Sequence, residues 1–246
     1  MSNFIIFGAT GGLGAELSRR LVDRGHQVCL AGRSVEKLQQ LAAELAIPSV
    51  PFDAEKPDTI QEAFSSAEET LGTLDGAVNA VGSVLLKPAH LTSHDEFLEV
   101  MQVNLGSSFA VVREAARRMR KRGGSVVLVS SSAARIGMPN HESIAAAKAG
   151  IEGLARSAAA TYAAKGIRFN VIAPGLVQTE MTRSIWSSEP AAAASRAMHS
   201  LGRLGTPEDI ASCAEWLLDS KNSWVTGQVI AVDGGLSTVM AKKRSS

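Results

Sequence analysis

Cysteine is nearly absent: Cys29 and Cys213 are the only two in 246 residues. Two thiols exclude a disulfide-stapled scaffold and fit a reducing compartment, so a cytoplasmic location is expected. Net charge is nearly absent as well, with 25 Lys and Arg against 24 Asp and Glu, for a total of +1. That balance offers no global attraction to nucleic acid or to an anionic membrane, and neither is expected as a partner. The basic tail Lys242, Lys243, Arg244 reads as a solvated end. No apolar stretch reaches the roughly 18 residues that a membrane span requires. The amino terminus enters Phe4, Ile5, Ile6 and Phe7 at once, without the basic segment and cleavage site of an export signal. No metal site is expected. Tyrosine is the scarcest residue of all, present once, as Tyr162.

What is present is a chain that can build a core. It is 45% hydrophobic and 20% charged, which excludes a disordered chain. Its length suits a single domain with one large core, expected to span 1–246. Short β-branched runs lie at 3–8, 27–32, 47–53, 74–80, 124–131, 167–173 and 227–232. Most are nearly continuous apolar segments, as strands buried on both faces should be. Helical segments separate them. Leu13, Leu17, Leu21 and Val22 form one apolar stripe, and Ser93-His-Asp-Glu96 reads as a capping box. Thr206-Pro207 reads as an N-cap followed by proline at the first helical position. Such alternation predicts an α/β fold with a doubly wound parallel sheet of about seven strands, of the Rossmann type. The stretch 180–200 interrupts the alternation after a strand and is expected to form a substrate lid.

Gly8-Ala-Thr10-Gly11-Gly12-Leu13-Gly14 lies between the first strand and the first helix. Glycine permits a tight turn and a close backbone approach to a pyrophosphate, and the helix start offers unpaired N–H groups to phosphate. The second strand ends Gly32-Arg33-Ser34, where a carboxylate would accept the ribose 2′-hydroxyl of NAD. An arginine suits a 2′-phosphate, so NADP(H) is favoured over NAD(H), the alternative being a solvated charge at a strand end. Asp53, ending the third strand, is placed either to accept from an adenine amino group or to serve as a turn residue.

With these motifs the sequence resembles the short-chain dehydrogenase/reductase family over nearly its whole length. The glycine turn and Asp53 match its coenzyme positions, and Asn79-Ala-Val-Gly82 resembles its motif after the fourth strand. Asn104 matches the asparagine that holds a catalytic water, Ser131 the serine, and Lys148 the lysine of Tyr-x-x-x-Lys. Pro174-Gly175-x-Val177-x-Thr179 matches the segment that faces the nicotinamide, and 202–209 and 226–235 resemble the carboxyl-terminal signatures. The resemblance implies a homotetramer or homodimer, assembled partly through the alanine-rich helix near 143–165, and a small carbonyl or alcohol substrate.

One position departs from the family pattern. Four residues before Lys148 stands Ile144, where the family carries its catalytic tyrosine. The spacing to Ser131 is kept, and Tyr162, about 27 Å farther along a helix, cannot replace the phenol. In the family the tyrosine passes a proton while nicotinamide passes hydride, and isoleucine can do no acid–base work. Three readings follow. The first is an NADP(H)-dependent oxidoreductase with weakened or rerouted proton transfer through His141, or through Ser131 with a water on Asn104 and Lys148. For His141 the alternative is a loop residue with no role, and for Ser131 a structural strand end. The second is a dinucleotide-binding protein without turnover, acting as a sensor or partner subunit. The third is a non-redox enzyme on the same scaffold.

Overall fold

In the computed structural model, which describes residues 1–240, seven parallel strands form one sheet. The basic tail Lys242, Lys243, Arg244 lies outside the described residues. The strands are β1 (Asn3–Phe7), β2 (Gln27–Gly32), β3 (Ser49–Pro51), β4 (Gly76–Asn79), β5 (Gly124–Val129), β6 (Ile167–Pro174) and β7 (Val229–Val232). Their order across the sheet is β3-β2-β1-β4-β5-β6-β7. The order reverses beside β1, which pairs with both β2 and β4, so a crevice opens at the carboxyl ends of β1 and β4. All seven expected strands are present; the third is the shortest, three residues at the sheet edge in place of 47–53.

The helices follow the strands as right-handed crossovers require. They are α1 (Gly12–Asp23), α2 (Val35–Leu45), α3 (Pro57–Leu71), α4 (His94–Met101), α5 (Ser107–Met119), α6 (Glu142–Tyr162), α7 (Arg183–Trp186), α8 (Glu189–Met198) and α9 (Pro207–Leu218). Side chains of successive strand residues alternate between faces. Ile5 and Phe7 therefore join Phe64, Val111, Ile151 and Phe169 under α3, α5 and α6. Phe4 and Ile6 join Leu17, Leu30, Ile210 and Leu217 under α1, α2 and α9. Burial on both faces is why the strands read as unbroken apolar runs.

Caps set the helix starts. Ser93 and Glu96 form the capping box of α4. Thr206 caps α9 with Pro207 behind it, and Asp209 completes a second box that the sequence reading did not extract. Between α4 and α5 the backbone takes one wide turn, Gln102–Gly106, of the π type that often marks functional sites. A basic run that the sequence reading passed over closes α5: Arg118 pairs with Glu68 and Arg117 with Glu114, while Arg120, Lys121 and Arg122 are exposed. Cations there complement the helix carboxyl terminus.

Candidate active site

The glycines draw distant motifs together. Gly8 holds φ +76°, and a Cβ on it would lie 2.8 Å from the Ala80 carbonyl carbon. A Cβ on Gly14 would lie 2.3 Å from the Gly8 oxygen, an impossible contact. Gly12 faces Thr179 and Pro207, and Gly32 faces Thr10. The turn after β1 is thus packed against the β4 end, the segment after β6 and the end of β2. α1 begins behind Gly11 with no side-chain cap, so its first N–H groups remain available to an anion. Leu13 is half-buried against the core beneath this turn.

At the adjoining strand ends Arg33 and Ser34 are both exposed. The Asp53 carboxyl is held below its ordinary range, first by the Glu55 N–H that it accepts, then by Lys56 and by the charge of Arg33. Asp53 stands two residues beyond β3, in a turn where its own N–H donates to Thr59 Oγ1. Asn79 is buried, and its amide donates to Ser107 Oγ (3.1 Å) and Ser108 Oγ (3.0 Å). Ser107 Oγ donates in turn to the Val103 carbonyl at 2.7 Å and Ser108 Oγ to the Asn104 carbonyl at 2.8 Å. The β4 end is thereby tied to the wide turn.

A cavity of about 260 Å³ lies at the ends of β5 and β6. Ser131, His141, Ile144, Pro174 and Gly175 all line it. Ser131 Oγ accepts the Ala133 N–H at 3.1 Å, which leaves its own hydrogen uncommitted. His141 Nδ1 lies 2.7 Å from the Pro139 carbonyl, which can only accept, so Nδ1 carries hydrogen and Nε2 is the open nitrogen. Ile144 is buried with Val100 and Ala147, against Leu85 and Met101. Lys148, one turn farther along α6, does not line the cavity. Its Nζ donates to the Val129 carbonyl at 2.9 Å, and burial lowers its pKa to about 8. A Cβ on Gly82 would lie 3.0 Å from Asn104 Oδ1 and 3.3 Å from Lys148 Nζ, so these three residues meet at one point. The Asn104 side chain itself is bonded to Ser83 and to the Val100 carbonyl. Val177 is buried and bridges Gly205 beside this site. Tyr162 packs on Phe169, at the far end of α6.

Of the lid residues, Thr182, Ile185, Ser195, Met198 and His199 line the cavity. Met181 is exposed, and Trp186 instead donates its indole N–H to Thr182 Oγ1 at 3.2 Å. Two features of the site went unread in the sequence. His199 is buried, its Nδ1 donating to the Ser195 carbonyl and its Nε2 accepting the Leu176 N–H, so it braces the lid. Ser132 donates to the buried Asp233 at 2.8 Å, tying the β5 end to the turn after β7. The Asp-Gly-Gly signature pointed to that turn without revealing its partner, and a lone histidine in a lid carries no signal.

Comparison with known proteins assigns the architecture. A family model described as enoyl-(acyl carrier protein) reductase matches residues 8–237. The structure of a short-chain type dehydrogenase/reductase from Mycobacterium ulcerans superimposes with a TM-score of 0.93 at 29% identity, covering 98% of this chain and 91% of that one. The chain belongs to the short-chain dehydrogenase/reductase family. Within this family of oxidoreductases it is 34% identical to carbonyl reductase family member 4 of Danio rerio, covering 96% of this chain and 98% of the relative. It is 36% identical to a Xanthobacter autotrophicus protein named inactive 2-(S)-hydroxypropyl-CoM dehydrogenase 2, covering 91% and 100%. A tyrosine-to-phenylalanine form of ElxO with NADPH bound has a TM-score of 0.90 at 26% identity, covering 97% and 100%. The residues present fit the family's nicotinamide dinucleotide: a Cβ at Gly8 or Gly14 would strike backbone, so only glycine lets the turn close this tightly over the α1 start, which carries no side-chain cap.

Proposed function

We propose that the protein is an NADP(H)-dependent oxidoreductase for a carbonyl or alcohol substrate, with proton transfer rerouted around Ile144. The observation that carries this reading is the convergence of Ser131, His141 and Ile144 on one cavity beside Pro174 and Gly175. The coenzyme, when bound, supplies or accepts hydride. Gly8, Thr10, Gly11, Gly12, Leu13 and Gly14 form its pyrophosphate cradle; Arg33 and Ser34 hold a 2′-phosphate; Asp53 borders the adenine. Asn79 and Gly82 shape the groove floor, and Pro174, Gly175, Val177 and Thr179 its nicotinamide end. Lys148 holds ribose hydroxyls.

In the cavity Ser131 donates its free hydrogen to the substrate oxygen. His141, held by the Pro139 carbonyl, presents Nε2 to give or take the proton that a tyrosine would have moved. Asn104 and Lys148 meet at Gly82, behind Ile144, and can hold a water there. Residues 180–200, carrying α7 and α8, act as the lid. Ala146, Ala149, Ser157 and Ala160 form an exposed small-residue stripe on α6 with Gly153 within it, and Phe109 on α5 is exposed. This face serves a homodimer or homotetramer. Two free cysteines fit a cytoplasmic setting. Among the described residues no helix is long and apolar enough to cross a membrane.

A second reading has its own support. Ile144 is sealed in an apolar cluster, and a 36%-identical relative is named inactive, which favours a dinucleotide-binding protein without turnover. Titration of the purified protein with NADPH and NADH, followed by coenzyme oxidation assays on a ketone panel, separates the readings. The oxidoreductase binds NADPH and consumes it; the binding protein only binds it. Failure to bind either coenzyme would sink both.

A further inference from the structure

The cavity beside Ser131 carries information about what it admits. Among the described residues, no aspartate, glutamate, lysine or arginine lines it. Its walls are Val84, Leu86, Met138, Ile185, Met198 and Leu236, besides Ile144. Cations close in sequence are committed or outside: Lys87 pairs with Glu96 at 2.8 Å, Arg183 pairs with Glu180, and Arg135 is exposed and not part of the lining.

Most of the polar groups in the wall are also spent. Ser132 donates to Asp233. Thr182 Oγ1 is engaged with Val177, Thr179 and Trp186. Both nitrogens of His199 are bonded to backbone. The open groups are the Ser131 hydrogen and His141 Nε2, both in the lining, and the Ser195 hydroxyl on the lid. The volume of about 260 Å³ is small against the roughly 300–1,000 Å³ of drug-sized pockets.

We propose that this cavity selects small, neutral, mainly apolar ketones or secondary alcohols, with one oxygen at Ser131 and at most one further neutral oxygen near Ser195. It rejects substrates that carry a carboxylate, phosphate or sulfonate in the pocket. The inference rests on reading the Ser131 cavity as the substrate site. Its physical basis is desolvation: among the described residues the wall holds no lysine or arginine, so an entering anion would lose water without gaining a permanent positive charge. The two methionines let the wall adapt to apolar shape, so selection is by charge and size more than by outline.

The test compares two ligands of one shape: isopropyl-substituted cyclohexanone and its carboxylate-substituted isostere. Calorimetric titration into the full-length protein, with and without saturating NADPH, reads binding without relying on turnover. The neutral ketone is expected to bind at least about 100-fold more tightly than the oxo-acid. Met198→Arg places a cation at the half-exposed rim, and it should strengthen oxo-acid binding about tenfold or more while thermal stability holds. An oxo-acid that binds the unaltered protein as well as the neutral ketone overturns the inference, as does a neutral ketone that fails to bind. Ketone binding without any NADPH binding would leave this inference standing and remove the coenzyme assignment above.

Discussion

Ile144 and Lys148 stand one helical turn apart on α6, yet they serve different compartments. Ile144 lines the cavity with Ser131, whereas Lys148 Nζ turns to the Val129 carbonyl and meets Asn104 at Gly82. In a helix the i and i+4 side chains lie on one face, so a phenol at 144 would reach both compartments. An isoleucine, packed with Val100 and Ala147, carries no proton to either, leaving the cavity's own groups to handle it.

The first consequence concerns His141. Replacing it with glutamine should lower kcat/KM for a neutral ketone by about 10²–10⁴-fold if it moves the proton, with NADPH affinity unchanged. Steady-state kinetics beside fluorescence titration of coenzyme distinguishes this from a structural effect, which would move both.

Arg33 should decide the coenzyme. Arg33→Ala is expected to weaken NADPH binding by about 1.5–3 kcal/mol, the range for hydrogen bonds to charged groups, and to leave NADH nearly untouched. Equal losses for both coenzymes would return Arg33 to the role of a solvated charge.

Much of this was legible in the sequence because it follows from local rules. Strand burial on both faces writes unbroken apolar runs, and a positive φ at Gly8 writes a glycine. Partners set by three-dimensional neighbours were not legible. Ser132 and Asp233 are 101 positions apart, and nothing local says that one donates to the other. His199 looks like any lid histidine until both ring nitrogens are seen against backbone. The lid was half legible: within 180–200, Ile185 and Met198 face the cavity, but Met181, in the turn before α7, is exposed, since nothing local in a turn fixes which side chains face inward.

The buried lysine gives a pH signature. Burial brings Lys148 to about 8, below the roughly 10.4 of an unfolded lysine. Between these values the unfolded chain holds a proton that the folded one has released, so Lys148 makes stability rise with pH. Cys29 and Cys213, pushed up by burial to about 12 and about 11, act oppositely above about 8.5. Lys148→Met should therefore steepen the alkaline loss of stability. Urea midpoints measured between about pH 7.5 and 10 check this; a parallel pair of curves would contradict it.

The glycine cradle predicts a stability cost as well as a functional one. Gly8→Ala must adopt φ +76° and press against Ala80. Roughly 1–2 kcal/mol is expected from the backbone alone, together with loss of coenzyme binding. Thermal melts with and without NADPH would show a lowered Tm and no coenzyme-dependent rise.

The most direct test of the account is Ile144→Tyr, assayed by NADPH oxidation with a small neutral ketone. Tyrosine at this position would restore a phenol one turn from Lys148 and facing Ser131. The account predicts normal NADPH affinity and a gain in kcat/KM of about 10²-fold or more over the unaltered protein. A variant that folds and binds NADPH but gains nothing would show that the missing proton donor is not what distinguishes this chain, and would contradict the central claim.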